Sequence, residues 1–247
     1  MADSRQEGRL EDYLDPENAR SYDRRWAAPR GVHRDLRKQR ALGRALKLLC
    51  AALGRSPQCI LDAPSGTGRM GRFWERRAAP GSLVLGLDGS HAMLRQAQVK
   101  GWSRPLVAGD LAHMPLGDGT VDVLVCIRFL HLVRSREARV AFLTEAARVT
   151  RGGLIVDYRH GQTPRGLGRR LRRVLARLAG KTGPRIWPGR AQALDEVRQG
   201  GFEVLGVVPV RRPWWIGDKM LIVALPEGDS RAPHGTQAAG HPSQGQA

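Results

Sequence analysis

The densest chemistry in the chain is the run Ile60-Leu61-Asp62-Ala63-Pro64-Ser65-Gly66-Thr67-Gly68-Arg69-Met70-Gly71, where an apolar segment meets a glycine turn and then a helical stretch. Gly66 and Gly68 lack a Cβ, so the backbone can turn tightly and a ligand can approach the amides at a helix N-terminus. Such a loop is weak evidence alone, because a purely structural turn also satisfies it. Its context adds a carboxylate: Asp88 ends the next apolar run twenty residues after Gly68, where an acid can accept both hydroxyls of a ribose. A helix-capping aspartate in front of Gly89-Ser90 is the alternative.

A further acid, Asp110, closes Gly109-Asp110-Leu111, and Met114-Pro115-Leu116-Gly117-Asp118-Gly119-Thr120-Val121-Asp122 follows it. His131 stands after the fourth apolar run, and Asp157, Tyr158 and His160 stand at the end of the fifth. A general base would sit at those positions, and histidine's ordinary pKa of about 6.5 suits the task. Packing or helix capping accounts for His131 equally well. His33, His91 and His113 show no metal-ligand spacing with one another or with cysteine, so no metal is expected. Cys50, Cys59 and Cys126 are odd in number and form no C-x-x-C pair, which fits a reducing cytoplasm better than a disulfide scaffold.

These residues need elements to hold them, and the chain alternates short apolar runs with helical stretches. Strands are predicted at 59–61, 83–87, 105–107, 121–127, 153–158, 202–208 and 219–225, and helices at 69–77, 90–100, 135–149 and 190–199. Ahead of them Leu42, Leu46, Leu49 and Leu53 step as one helical face within 32–53. Alternation of strand and helix predicts parallel pairing with right-handed crossovers, and the last two strands, with no helix pattern between them, predict a closing hairpin. The expected fold is a doubly wound, Rossmann-like α/β sheet of seven mostly parallel strands with a C-terminal antiparallel hairpin, its crevice at the carboxyl ends of the strands.

Four pieces in register, L-D-A-P-S-G-T-G, G-L-D-G-S-H-A-M-L, A-G-D-L-A-H-M-P-L-G-D-G-T-V-D-V-L-V-C and G-G-L-I-V-D, give the chain from Tyr22 to Leu225 its resemblance to a known family. It resembles the class I S-adenosylmethionine-dependent methyltransferases, in the small-molecule branch that includes quinone-biosynthesis enzymes. The resemblance implies that Asp62, Gly66 and Gly68 surround the methionine moiety of S-adenosylmethionine, that Asp88 binds the ribose, that Asp110 with Leu111 sits at the adenine, and that Gly89 is also at the cofactor. Pro64 departs from the family's usual glycine and has no amide hydrogen to donate, and Arg128 stands where a smaller residue is common. Methyl transfer from a sulfonium needs alignment and exclusion of water, and a base only where the acceptor loses a proton. The candidates are His131 and Tyr158 for catalysis, and Tyr22, Arg128 and His160 for the acceptor.

Charge bears on the acceptor. Lys+Arg 41 against Asp+Glu 23 gives a formal net charge of +18, nearly all of it arginine, which points to an anionic partner or to a GC-rich genome. The stretch 159–190 holds ten of those cations and no acid, and within it Leu167, Leu171, Val174, Leu175 and Leu178 step along one helical face with Arg169, Arg170, Arg172, Arg173 and Arg177 on the rest. Such a basic amphipathic helix suits a lid packed on the domain, a peripheral contact with an anionic membrane through 165–181, or phosphates of RNA. The expected organisation is an N-terminal flap at 1–31 carrying Tyr13, Tyr22 and Trp26, one domain at 32–226 with 159–190 as its lid, and a disordered tail at 227–247. No apolar run approaches a membrane span. The leading function is methyl transfer to a small-molecule or lipid-linked acceptor. An RNA methyltransferase and a catalytically silent S-adenosylmethionine-binding scaffold are the alternatives. A nicotinamide-dependent dehydrogenase satisfies the glycine loop but leaves Asp62 and the later motif pieces unexplained.

Overall fold

A computed structural model describes residues 15–179, 187–211, 213 and 217–228. Tyr13 and the expected tail beyond 228 lie outside the described residues. Two short helices, α1 (Pro16–Ser21) and α2 (Arg24–Ala27), precede the long helix α3 (Pro29–Leu53). α3 starts on a proline at its first turn and ends at Gly54, whose φ of 66° is the left-handed conformation that a helix C-terminus favours.

The strands are β1 (Cys59–Asp62), β2 (Leu83–Asp88), β3 (Leu106–Ala108), β4 (Val121–Cys126), β5 (Thr150–Arg159), β6 (Phe202–Pro209) and β7 (Lys219–Pro226). Between them run α4 (Gly71–Arg77), α5 (His91–Val99), α6 (Arg136–Val149), α7 (Pro164–Leu178) and α8 (Arg190–Gln199). The sheet order is β3-β2-β1-β4-β5-β7-β6. β7 pairs antiparallel with both β5 and β6, and the other pairings are parallel. The expected doubly wound sheet and closing hairpin are therefore both present.

Each face of the sheet carries its own core. Leu42, Leu46 and Leu49 of α3 and Phe73 and Trp74 of α4 pack on one face. Phe142, Leu143 and Ala146 of α6 and Ala193 and Val197 of α8 pack on the other. Strand β4 is buried at every position, as a central parallel strand covered on both sides must be. Its second residue, Asp122, accepts hydrogen bonds from the amides of Gln58 and Cys59 and from Arg55 and Arg151. Burial alone would raise its pKa, yet these donors hold the carboxyl well below the usual carboxylate range. Serine and threonine open the next helices: Ser90 and Ser135 accept from the amides of Met93 and Ala138, and Thr163 from that of Gly166.

Candidate functional site

Parallel strands β1, β2 and β4 end on the same side of the sheet, so the loops that follow them converge. The β1 loop turns through Gly66 and Gly68, with φ of 56° and 68°. Both angles favour glycine, but for different neighbours. A Cβ on Gly66 would meet nothing within 4 Å, whereas one on Gly68 would stand 2.9 Å from the Trp102 ring and 3.1 Å from Ala97. Gly66 is thus open toward a ligand, while Gly68, expected beside the ligand, makes room for an indole instead.

The loops enclose a crevice of about 280 Å³. Asp62, Ser65 and Gly66 line it from β1, Asp88, Gly89 and Met93 from β2 and α5, Asp110 and Leu111 after β3, and Arg128 and Phe129 after β4. Asp88 has both oxygens anchored: the Gly66 amide donates to Oδ2 at 2.8 Å and the Ser90 amide to Oδ1 at 2.9 Å. Burial nevertheless raises its pKa. Asp62 is more deeply enclosed and accepts one hydrogen bond, 2.9 Å, from Trp74 Nε1. Burial, aided by the nearby Asp88, pushes its pKa up to about 7. Asp110 is exposed and accepts from the Ala112 amide, and Leu111 is buried.

The N-terminal helices lie against this crevice. Asp23 accepts a hydrogen bond from Thr67 Oγ1 in the glycine loop at 2.9 Å and pairs with Lys100. Trp26 is held between two guanidiniums, with Arg69 and Arg128 each 4.0 Å from its ring centroid. Tyr22 lines the crevice, 5.7 Å from the Arg128 guanidinium. Arg128 has φ 70°, a left-handed conformation that costs a non-glycine residue roughly 1 to 2 kcal/mol. That backbone aims its side chain at the two rings.

The remaining site candidates fall elsewhere. His131 is half-buried, its ring 6.2 Å from that of Trp187, and burial with the nearby Arg159 pushes its pKa down to about 3. It is neutral, and it is a weak base. Tyr158, a catalytic candidate in the sequence, does not reach the crevice. Side chains alternate along β5, and Tyr158 points to the α6–α8 face, where its hydroxyl donates to Glu196 at 2.9 Å beside the bidentate Arg139–Glu196 pair. Burial and Glu196 raise its pKa well above the ordinary value. His160 is buried beside a second cavity rather than the crevice.

Sequence reasoning passed over Asp23, Arg69 and, above all, Lys38. Lys38 and Asp157, each 4% exposed, form an ion pair of 2.6 Å under α3. The signal was present: Lys38 lies four residues before Leu42 on the buried face of α3, where an apolar residue would be expected. Burial lowers the lysine's pKa, and Lys38 holds the Asp157 carboxyl low against its own burial.

Comparison with known proteins adds to this geometry. Residues 61–156 match the family described as Methyltransferase domain. Over 92 residues, 37% of this chain, it is 40% identical to a malonyl-[acyl-carrier protein] O-methyltransferase of Pseudescherichia vulneris, covering 34% of that protein. Over 97 residues, 39% of this chain, it is 33% identical to the protein of the same name from Hamiltonella defensa, covering 35% of it. The chain spans about a third of the length of these curated relatives. Among solved structures, it resembles magnesium protoporphyrin IX methyltransferase from Synechocystis PCC 6803 with bound SAH. The TM-score there is 0.63 at 19% identity, covering 90% of this chain and 99% of that one. Human N-acetylserotonin methyltransferase in complex with SAM is similar at a TM-score of 0.60 and 14% identity, over 87% of this chain and 57% of that one.

Proposed function

We propose that this chain, whose residues 61–156 match the methyltransferase-domain family, is a class I S-adenosylmethionine-dependent methyltransferase that transfers a methyl group to a small-molecule or lipid-linked acceptor. The observation that carries this reading is the Gly66–Asp88 arrangement. A buried carboxylate is oriented by two backbone amides at the end of β2, beside a glycine with open space where a side chain would stand.

The residues present fit the cofactor. Two amide bonds leave acceptor capacity on both Asp88 oxygens for ribose hydroxyls. Ser65 Oγ is buried in the crevice wall with no hydrogen-bond partner among the described residues, a position suited to a polar ligand. Met93, Leu111 and Ile127 supply apolar wall for a purine. Asp62 and Gly66 would hold the amino-acid end, Asp88 and Gly89 the ribose, and Asp110 and Leu111 the adenine. When bound, the cofactor supplies a methyl group already activated on a sulfonium. The chain's own residues then orient the partners and exclude water. Tyr22 and Arg128 line the crevice mouth, with Trp26 clamped against Arg128, and the Asp23–Thr67 bond ties α2 to the glycine loop. His131, being neutral, can accept a proton only from an acidic acceptor.

Helix α7 supports an acceptor at an anionic lipid surface. Its apolar stripe does not pack as a lid would: Leu167, Leu171 and Leu178 are 68%, 60% and 81% exposed, and their helix carries arginines but no acid. Exposed leucines flanked by arginine match a lipid interface, whereas RNA phosphates would call for the arginines alone. Among the described residues no helix is long and apolar enough to cross a membrane.

Incubation of the full chain with methyl-labelled S-adenosylmethionine and fractions of a cell extract tests the activity. Label is expected in the lipid or small-molecule fraction. Label confined to RNA would move the acceptor there, and no transfer to any fraction by a chain that still binds S-adenosylhomocysteine would make it a silent binding protein.

A further inference from the structure

Beside the crevice lies a second cavity, of about 190 Å³, bounded by α3, β7 and the first turns of α7. Six cationic side chains line it, Arg34, Arg37, Lys38, Arg169, Arg211 and Lys219, against a single lining carboxylate, Asp218. Lys38 is neutralised by Asp157, and Asp218 lies 4.0 Å from Arg159. Among the described residues no salt bridge involves Arg37, Arg169, Arg211 or Lys219.

We infer that this cavity is an acceptor subsite that seats an oxyanion, a carboxylate or a phosphate, borne by the molecule to be methylated. The inference rests on the methyltransferase reading for the word acceptor, but the anion site stands on its own geometry. Three features of the fold oppose each other without an anion. In the β5–β7 ladder Arg159 is directly opposite Lys219, and like charges at such a pair are destabilising. Arg34 recurs at Arg37 and Lys38, three and four residues on, placing like charges together on one side of α3. Burial, together with Lys38 and Arg159, pushes the Lys219 pKa down to about 8, so this lysine keeps its charge at a cost that a bound anion would offset. His160 is buried in the wall of the cavity, and its Nδ1 has no hydrogen-bond partner among the described residues. The N-terminal turn of α7, through Thr163 and Gly166, adds the positive end of a helix to the same wall.

One ring contacts a residue from each lining. Trp26 carries Arg128 of the crevice at 4.0 Å and Arg34 of the cavity at 5.3 Å. An acceptor anchored by its anionic group among Lys219, Arg37 and Arg34 would extend past Trp26 and Arg128 toward the crevice. α7, whose first turns wall the cavity and whose remaining length exposes leucines, would stand where a lipid-linked acceptor arrives.

Titration of the full chain at low salt with two probes, inorganic pyrophosphate and succinate, tests the site. Saturable binding of at least one is expected, pyrophosphate marking a phosphate site and succinate a carboxylate site. Lys219→Gln and Arg37→Gln should each weaken it about tenfold, as the loss of one charge-assisted hydrogen bond does. Arg95→Gln, an equal charge change on exposed α5, should leave it unaltered. Failure of both probes to bind, or equal weakening by Arg95→Gln, would overturn the inference. S-adenosylhomocysteine binding by the same variants reports separately on folding and on the crevice. Its absence in the wild type would sink the methyltransferase reading while leaving the anion result to be judged alone.

Discussion

Asp62 and Asp88 share the crevice but have different jobs, and their surroundings separate them. Asp88 is fixed by two amides, so Asp88→Ala should weaken S-adenosylhomocysteine binding by about 1.5–3 kcal/mol for each ribose hydrogen bond lost, read by calorimetry. Unchanged affinity would place the ribose elsewhere. Among the described residues Asp62 has only the Trp74 indole as side-chain donor, and with a pKa of about 7 it is largely protonated below neutrality. A ligand bearing an ammonium favours the carboxylate form. Affinity should therefore rise as pH increases from about 6 to 8, by up to tenfold per unit on the acid side, and Asp62→Asn should flatten the profile. A flat wild-type profile would remove Asp62 from the ligand's ammonium. Tyr158 now belongs to the core: Tyr158→Phe forfeits one hydrogen bond to Glu196, costing about 1 kcal/mol of stability with turnover intact. Loss of turnover at unchanged stability would restore it as a catalytic residue.

At the scale of elements, the strands were legible because buried parallel strands read as continuous apolar runs, as in Val121–Cys126, and the helices because their apolar residues recur every three or four positions. α1 and α2 were not. Their sequence is polar because they dock through Asp23, Tyr22 and Trp26 onto charged partners rather than through an apolar stripe. The Lys38–Asp157 pair was also hidden, since its partners lie on α3 and β5 and no local pattern links them. For α7 the sequence offered the right helix with three fates, and its exposed leucines favour the lipid-interface reading proposed above. Leu171→Ala with Leu175→Ala should change thermal stability by no more than about 0.5 kcal/mol per site, as expected of surface positions, instead of the 2–5 kcal/mol of buried leucines. The same variant should bind anionic vesicles less tightly in sedimentation. Strong destabilisation, or vesicle binding indifferent to the leucines and to lipid charge, would return α7 to the role of a packed lid.

Over the whole molecule, the doubly wound sheet brings the ends of β1, β2 and β4 together, and the N-terminal helices close over them. The sequence located the crevice, because Asp62, Gly66, Asp88, Gly89, Asp110 and Leu111 all line it. Gly68 is not part of that lining, and its missing side chain makes room for Trp102, a contact no spacing rule reveals. The sequence also left the cationic cavity unrecognised, since α3, the segment from His160 into α7, Trp187 and the residues around Lys219 at the start of β7 contribute to it from distant parts of the chain. Cofactor binding in that crevice is the claim on which the other functional readings depend. Calorimetric titration of the full chain with S-adenosylhomocysteine tests it most directly. The structure predicts saturable binding at one site per chain, weakened by Asp88→Ala, and an absence of binding by the folded wild type would contradict it.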